Sequence, residues 1–138
     1  MLDTGLIEKN GVQTKQEYIK NILEMSGLAQ IYHFELFVLL QPNLFTTKCN
    51  FTDKDIVLAK EYCKKEYPKI ETAFEIGYPK LIEAINELRN HGIKAYNLSD
   101  IFCNKKDNIF LDYCHVNSKG NRIIVDNMVK IIDKGNYK

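Results

Sequence analysis

Apolar and polar positions along the chain follow two different periods. Residues 34–40 are apolar almost throughout, which is typical of a strand covered on both faces in a parallel sheet. Residues 93–98 predict a second strand, and residues 109–111 predict a short third extended piece. Between these segments the apolar positions keep helical spacing. Helices are predicted to begin at Thr14, Thr52, Ile70 and either Asn117 or Ser118. The alternation indicates an α/β fold with parallel strands.

Several of the predicted helix boundaries rest on capping chemistry, and Thr52 and either Asn117 or Ser118 are the predicted amino-terminal caps of their helices. Thr14 and Glu17 have the spacing of a capping box, in which each side chain accepts a backbone N–H at the start of a helix. Residues 1–13, which two glycines interrupt, are therefore expected to be irregular. Gly92 is suited to the left-handed conformation that ends a helix, so the third helix is expected to end near His91.

Length and composition narrow the class of protein. A chain of 138 residues, 45% of them apolar, can bury one core, so we expect a single domain over residues 1–138. The 19 basic and 18 acidic residues give a net charge of +1, which removes the main argument for a nucleic-acid partner or an acidic membrane surface. No apolar run approaches the roughly 20 residues that a membrane span needs. We therefore expect a soluble chain, cytoplasmic by default, although the sequence does not give its compartment.

The four cysteines contain no Cys-x-x-Cys pair. Reduced thiols are expected, and the spacing argues against a zinc knuckle. One alternative is a metal site that uses Cys103, Cys114 and His115, but a buried structural cysteine is the commoner role at such spacings. The sequence therefore predicts no metal and no cofactor.

The candidate chemistry lies where the last extended piece ends. Ligands in open α/β sheets gather beyond the carboxyl ends of the strands. Asp112 stands three residues before His115, and a tight turn would let its carboxylate accept the Nδ1–H of the imidazole. That bond fixes the tautomer whose Nε2 can take a proton from a nucleophile, and it stabilises the resulting imidazolium. Asp112 and His115 are therefore the predicted catalytic residues, two thirds of a hydrolase triad.

The same residues also allow a structural interpretation. Asp112 would then accept backbone N–H groups in a turn, and His115 would only precede a helix. Gln41 and Asn43, which follow the first strand, are candidates for weak contacts with a substrate. Polar residues at such positions usually satisfy the local backbone instead.

Residues 98–132 resemble the last block of the SGNH (GDSL-type) hydrolases, whose members carry Asp-x-x-His just before their final helix. The matching segments are Leu-Ser-Asp-Ile-Phe from residue 98, Ile-Phe-Leu-Asp-Tyr-Cys-His-Val-Asn from residue 109 and Gly-Asn-Arg-Ile-Ile from residue 120. The resemblance implies a partial flavodoxin-like three-layer sandwich, with a short parallel sheet flanked by helices. It implies an esterase in which His115 is the general base and Asp112 orients it. A small-molecule or carbohydrate ester is the implied substrate, and removal of an acetyl group is one such reaction.

The chain departs from that family in its nucleophile. The Gly-Asp-Ser block and the two blocks that carry the oxyanion-hole glycine and asparagine have no counterpart in the sequence. Its three serines, Ser26, Ser99 and Ser118, each have a structural interpretation. Without a nucleophile and oxyanion donors, the Asp-His pair cannot carry out acyl transfer alone. We therefore expect the carboxyl-terminal half of an SGNH hydrolase.

The apolar strand predicts a second possibility. At most two further strands are available to pair with residues 34–40, so one apolar edge is expected to lie open and to favour association. The missing amino-terminal half of a hydrolase would cover it, and so would a second copy of the chain. The alternative function is accordingly a non-catalytic interaction module that pairs through this sheet edge.

Overall fold

A computed structural model describes residues 4–45, 54–103 and 109–136. This part of the chain is mixed α/β and mostly helical, with four helices and one two-stranded parallel sheet. The predicted helix cap Thr52 lies outside the described residues. In chain order the elements are α1 (Thr4–Tyr32), β1 (Phe37–Leu40), α2 (Lys54–Glu66), α3 (Ile70–Asn90), β2 (Lys94–Asn97) and α4 (Ser118–Asn136).

The sheet confirms the predicted parallel pair. Phe37 lies opposite Lys94, and Leu40 lies opposite Asn97. β1 is shorter than the apolar run that predicted it, because the N–H of Phe34 donates to the carbonyl of Ala29 at 3.1 Å in the turn that follows α1. The apolar pattern therefore located the strand correctly but extended it at its amino end.

The chain divides into two compact units, of which unit 1 comprises Met1–Leu40 and Glu71–Asn97. Its core is formed where α1 and α3 contribute apolar side chains that pack with those of the sheet. Gly92, with a φ of 78°, ends α3 in the left-handed conformation that the sequence predicted. The buried members of the core are Ile19, Val38, Leu40, Tyr78, Ala84, Ile85, Leu88 and Ala95.

The predicted start of the first helix is wrong. α1 begins at Thr4, and Thr14 lies inside it with its hydroxyl donating to the carbonyl of Asn10 at 2.8 Å. Gly11 is buried, and its Cβ position would lie 3.8 Å from the Cα of Gly77 and 3.6 Å from Cγ of Lys80. This glycine marks a close contact between α1 and α3, not an interruption of the helix.

Unit 2 comprises Gln41–Ile70 and Leu98–Lys138. The rings of Phe102 and Phe110 pack edge to face, with centroids 5.4 Å apart. The predicted third strand is reduced to an antiparallel bridge between Phe110 and Val116. The N–H of Leu111 donates to the carbonyl of His115 at 2.8 Å, so residues 111–115 form a tight loop closed by this bridge.

The start of α4 combines a cap with a close contact. Oδ1 of Asn117 accepts the N–H of Gly120 at 3.0 Å, which confirms one of the two predicted caps. A Cβ at Gly120 would lie 2.6 Å from Cγ2 of Ile109 and 2.7 Å from Cβ of Val116. Only glycine therefore lets the first turn of α4 approach the bridge this closely.

The expectation of reduced thiols holds for Cys63 and Cys114, which are free, and is wrong for Cys103, which is disulfide-bonded. Cys103 therefore cannot serve in the metal site that the sequence offered as an alternative, because its sulfur is already bonded. No helix in the described part of the chain has both the length and the apolar character needed to cross a membrane.

Candidate active site

The carboxylate of Asp112 builds the turn that carries the predicted catalytic pair. Its Oδ1 accepts the backbone N–H of Cys114 at 2.9 Å and that of His115 at 2.8 Å. A carboxylate that accepts two amides is held in one orientation, because both bonds are charge-assisted. The structural interpretation of Asp112 as a turn acceptor is therefore realised at one of its two oxygens.

The second oxygen contacts the imidazole. Oδ2 of Asp112 lies 2.7 Å from Nδ1 of His115, which places the proton of the neutral ring on Nδ1 and leaves Nε2 as the basic nitrogen. The side chain of His115 is 73% exposed. The structure thus brings together the two predicted catalytic residues, in the arrangement that the three-residue spacing indicated.

Local contacts lower the pKa of the Asp112 carboxyl group. Partial burial raises the pKa of its carboxyl group, but hydrogen bonds from the amides of His115 and Cys114 and from the imidazole outweigh this effect and lower the pKa to about 2. The group is therefore ionised at neutral pH. An ionised partner stabilises an imidazolium at His115, as a general base requires.

The segment after β1 lies against this turn. The N–H of Leu44 donates to the carbonyl of Tyr113 at 2.9 Å. Asn43 is 1% exposed, and its Oδ1 accepts the N–H of Phe45 at 2.8 Å. Gln41 is exposed. The predicted substrate-contacting segment therefore meets the turn of the catalytic pair, although the carboxamide oxygen of Asn43 already serves the local backbone. A substrate contact for Gln41 or Asn43 stays a prediction.

Cys114 is a further neighbour of the imidazole, which the sequence offered only as a ligand in the alternative metal site. Its Sγ lies 3.7 Å from Nδ1 of His115, the nitrogen that already faces Asp112. Burial and the charge of Asp112 both raise the pKa of the Cys114 thiol. His115 is therefore not arranged to deprotonate Cys114, and this thiol does not replace the missing serine. The signal for the contact was the adjacency of Cys114 and His115.

The serine hydroxyls of the described residues do not contact the imidazole of His115. Among the described residues, the side-chain partners of the ring are Asp112 and Cys114, with no serine hydroxyl. Ser99 is buried and its Oγ lies 3.3 Å from Oδ1 of Asp100. Ser118 is exposed at the start of α4. Among the described residues, the pair of Asp112 and His115 therefore has no serine hydroxyl beside the imidazole.

Comparison of the chain with protein-family models, with curated proteins and with solved structures finds no match. The resemblance of residues 98–132 to the SGNH hydrolases therefore stays a prediction.

Proposed function

We propose that this chain supplies the Asp-His part of an SGNH-type ester hydrolase. The observation that carries the proposal is the double use of Asp112. One oxygen accepts two backbone amides and the other lies 2.7 Å from Nδ1 of His115. This arrangement leaves Nε2 on the far side of an exposed ring, where a nucleophile from outside these residues can reach it.

In the proposed reaction His115 moves one proton in each direction. A serine Oγ attacks the ester carbonyl carbon while Nε2 of His115 takes the hydroxyl proton. The imidazolium then returns that proton to the departing alcohol, which leaves an acyl-serine. Water repeats the cycle and releases the carboxylic acid. The ionised Asp112 stabilises the imidazolium in both halves, and an acetylated carbohydrate is one ester of the proposed class.

The finer architecture belongs to this proposal. A flavodoxin-like three-layer sandwich would need further parallel strands beside the short β1–β2 sheet. An SGNH amino-terminal half would supply those strands together with the serine and the oxyanion donors. The parallel pair and the Asp-x-x-His turn before the final helix support this architecture.

Labelling with a fluorophosphonate probe tests the proposal directly, because the probe reacts with a serine that a base activates. We expect no labelling of these 138 residues alone. We expect labelling and hydrolysis of p-nitrophenyl acetate when the longest natural form of the protein, or a fusion behind a Gly-Asp-Ser segment of this family, is used. His115→Ala should lower kcat by about 10²- to 10⁴-fold.

His91→Ala is the matched control, since His91 is an exposed histidine in unit 1. It should leave the rate unchanged. Hydrolysis by an active form that loses nothing in His115→Ala would remove His115 from the mechanism and end the proposal.

The second candidate is an interaction module that pairs through the sheet edge. Each of the two strands has one neighbour among the described residues. Near the end of α1, Leu28, Ile31 and Tyr32 are exposed, the last two by 68% and 72%. Exposed apolar side chains and a sheet of only two strands in the described part of the chain each favour association. Light scattering coupled to size exclusion should then show a dimer that Ile31→Lys dissociates, whereas a monomer at all concentrations would contradict this candidate.

A further inference from the structure

The strongest unassigned feature is a set of three different metal-binding groups around one point. A side-chain donor atom from each of Asp112, Cys114 and His115 lies within 4.8 Å of the other two. A thiolate, an imidazole and a carboxylate are all ligands that Zn²⁺ accepts. The residues are half-buried or exposed, so an ion from solvent can reach them.

The distance between the cysteine sulfur and the histidine nitrogen fits tetrahedral coordination of one ion. Sulfur and nitrogen ligands of one tetrahedral Zn²⁺ lie about 3.6 Å apart, and Sγ of Cys114 is 3.7 Å from Nδ1 of His115. Nitrogen and oxygen ligands lie about 3.3 Å apart, whereas Oδ2 of Asp112 is 2.7 Å from Nδ1. That shorter distance belongs to a hydrogen bond, and it lengthens when a metal ion replaces the shared proton.

The turn itself fixes the carboxylate for this role. Oδ1 of Asp112 is held by the amides of Cys114 and His115, so Oδ2 alone is directed at the position between the three groups. Outer hydrogen bonds of this kind orient a metal ligand and increase the affinity of a site.

We propose that Asp112, Cys114 and His115 form a binding site for Zn²⁺ or a similar thiophilic divalent cation, with the fourth position open to water. Binding releases the thiol proton of Cys114 to solvent. The proton on Nδ1 of His115 transfers to Nε2 through solvent, so one proton leaves for each ion bound. No oxidant or reductant takes part.

Metal binding and general-base catalysis then exclude each other. The hydrolase needs the proton of His115 on Nδ1 and a free lone pair on Nε2, and the metal form reverses both. Zn²⁺ should therefore inhibit the active form of the protein reversibly. This consequence rests on the proposed function, whereas metal binding itself does not.

Titration with Co²⁺ tests binding without any activity measurement. The 138-residue chain, with the disulfide of Cys103 intact, should bind one ion and show the near-ultraviolet absorption of a cobalt-thiolate bond. Zn²⁺ should displace the cobalt. Cys114→Ser should abolish that absorption and weaken Co²⁺ binding by more than about tenfold. Loss of a residue that only hydrogen-bonds to a metal ligand can already cost about tenfold, and Cys114 is proposed as a ligand itself.

His91→Ala is the control, because it removes an exposed histidine of unit 1. It should bind Co²⁺ as the unaltered chain does, and circular dichroism verifies that each variant is folded. Absence of the thiolate absorption in the unaltered chain, or its persistence in Cys114→Ser, would overturn the metal site. The fluorophosphonate and hydrolysis results would be unaffected, so the two proposals fail separately.

Discussion

The two compact units are specified by different kinds of interaction. Unit 1 is organised by apolar packing, in which Ala84, Ile85 and Leu88 of α3 lose all exposure. The segments of unit 2 that carry the candidate site are instead organised by polar side chains that accept hydrogen bonds from their own backbone. Asn43, Asp112 and Asn117 each accept an N–H two or three residues ahead.

The comparison shows why the candidate site lies in unit 2. Apolar packing resists change in volume but offers no donor or acceptor to a ligand. A side chain that organises a turn through one oxygen keeps its other oxygen for chemistry, as Asp112 does towards His115. Asn43 has the same type of turn but is 1% exposed, so it contributes to the fold of unit 2 and not to its accessible surface.

The largest loss of stability is expected when the buried turn of Asn43 receives the side chain that organises the turn of Asp112. Asn43→Asp places a carboxylate where the native side chain is 1% exposed. Burial of this negative charge should destabilise the chain by about 3 kcal/mol or more at pH 7. Urea unfolding followed by circular dichroism measures the change. The loss should shrink on acidification, as the new carboxylate takes up a proton.

Asp112→Asn is the matched exchange in the exposed turn. An amide oxygen can still accept the N–H groups of Cys114 and His115 but without the charge of the carboxylate, so stability should fall by about 1–2 kcal/mol, less than in Asn43→Asp. Equal losses in the two variants would show that the turns do not differ in the way that their burial indicates.

The next largest loss of stability is expected at Gly120, which lies close to Ile109 and Val116 at the start of α4. Gly120→Ala brings a Cβ to 2.6 Å from Cγ2 of Ile109 and should cost about 1–3 kcal/mol through overpacking. Thermal unfolding measures the loss. Fluorophosphonate labelling of the active form should weaken as well, because the bridge at Val116 closes the loop that carries His115.

Gly77→Ala in α3 is the control, since nothing lies within 4 Å of its Cβ position. Alanine is the better helix former, so this variant should gain up to about 1 kcal/mol. A loss at Gly77 as large as that at Gly120 would mean that helical glycines in this chain are sensitive for a reason other than crowding.

The features that the sequence predicted correctly are those that a few neighbouring residues determine. Asp112 and His115 meet because a turn of three residues brings them together, and Asn117 caps α4 over the same distance. The left-handed Gly92 follows from backbone sterics alone. The contact between Asp112 and His115 could therefore be predicted from their spacing in the sequence, without knowledge of any tertiary contact.

The features that the sequence did not predict depend on distant residues. α1 extends back to Thr4, and the contact of Gly11 with Gly77 and Lys80 of α3 cannot be read from the periodicity of residues 1–13. The bonded state of Cys103 is also a long-range property. The third strand was lost because residues 111–115 use their backbone groups to close their own loop.

The smallest effect is expected at the charged surface of unit 1, where Lys15 of α1 lies 3.0 Å from Glu87 and 3.5 Å from Glu83 of α3. The hydrogen bond with Glu87 raises the pKa of Lys15, so its contribution to stability is lost only as the pH rises above about 10. The hydrogen bond from Lys80, with a smaller contribution from Lys15, lowers the pKa of Glu83, so the contribution of Glu83 to stability is lost as the pH falls below about 4.

Lys15→Met should therefore lower the urea midpoint slightly at pH 7, and less at pH 3 or in about 1 M salt. Lys20→Met, which alters only a pair at 3.8 Å within α1, should change nothing. A loss of stability in Lys15→Met that persists at pH 3 and in salt would assign the effect to packing of the aliphatic part of the lysine side chain. This surface would then be stabilised by apolar contacts, as the core of unit 1 is.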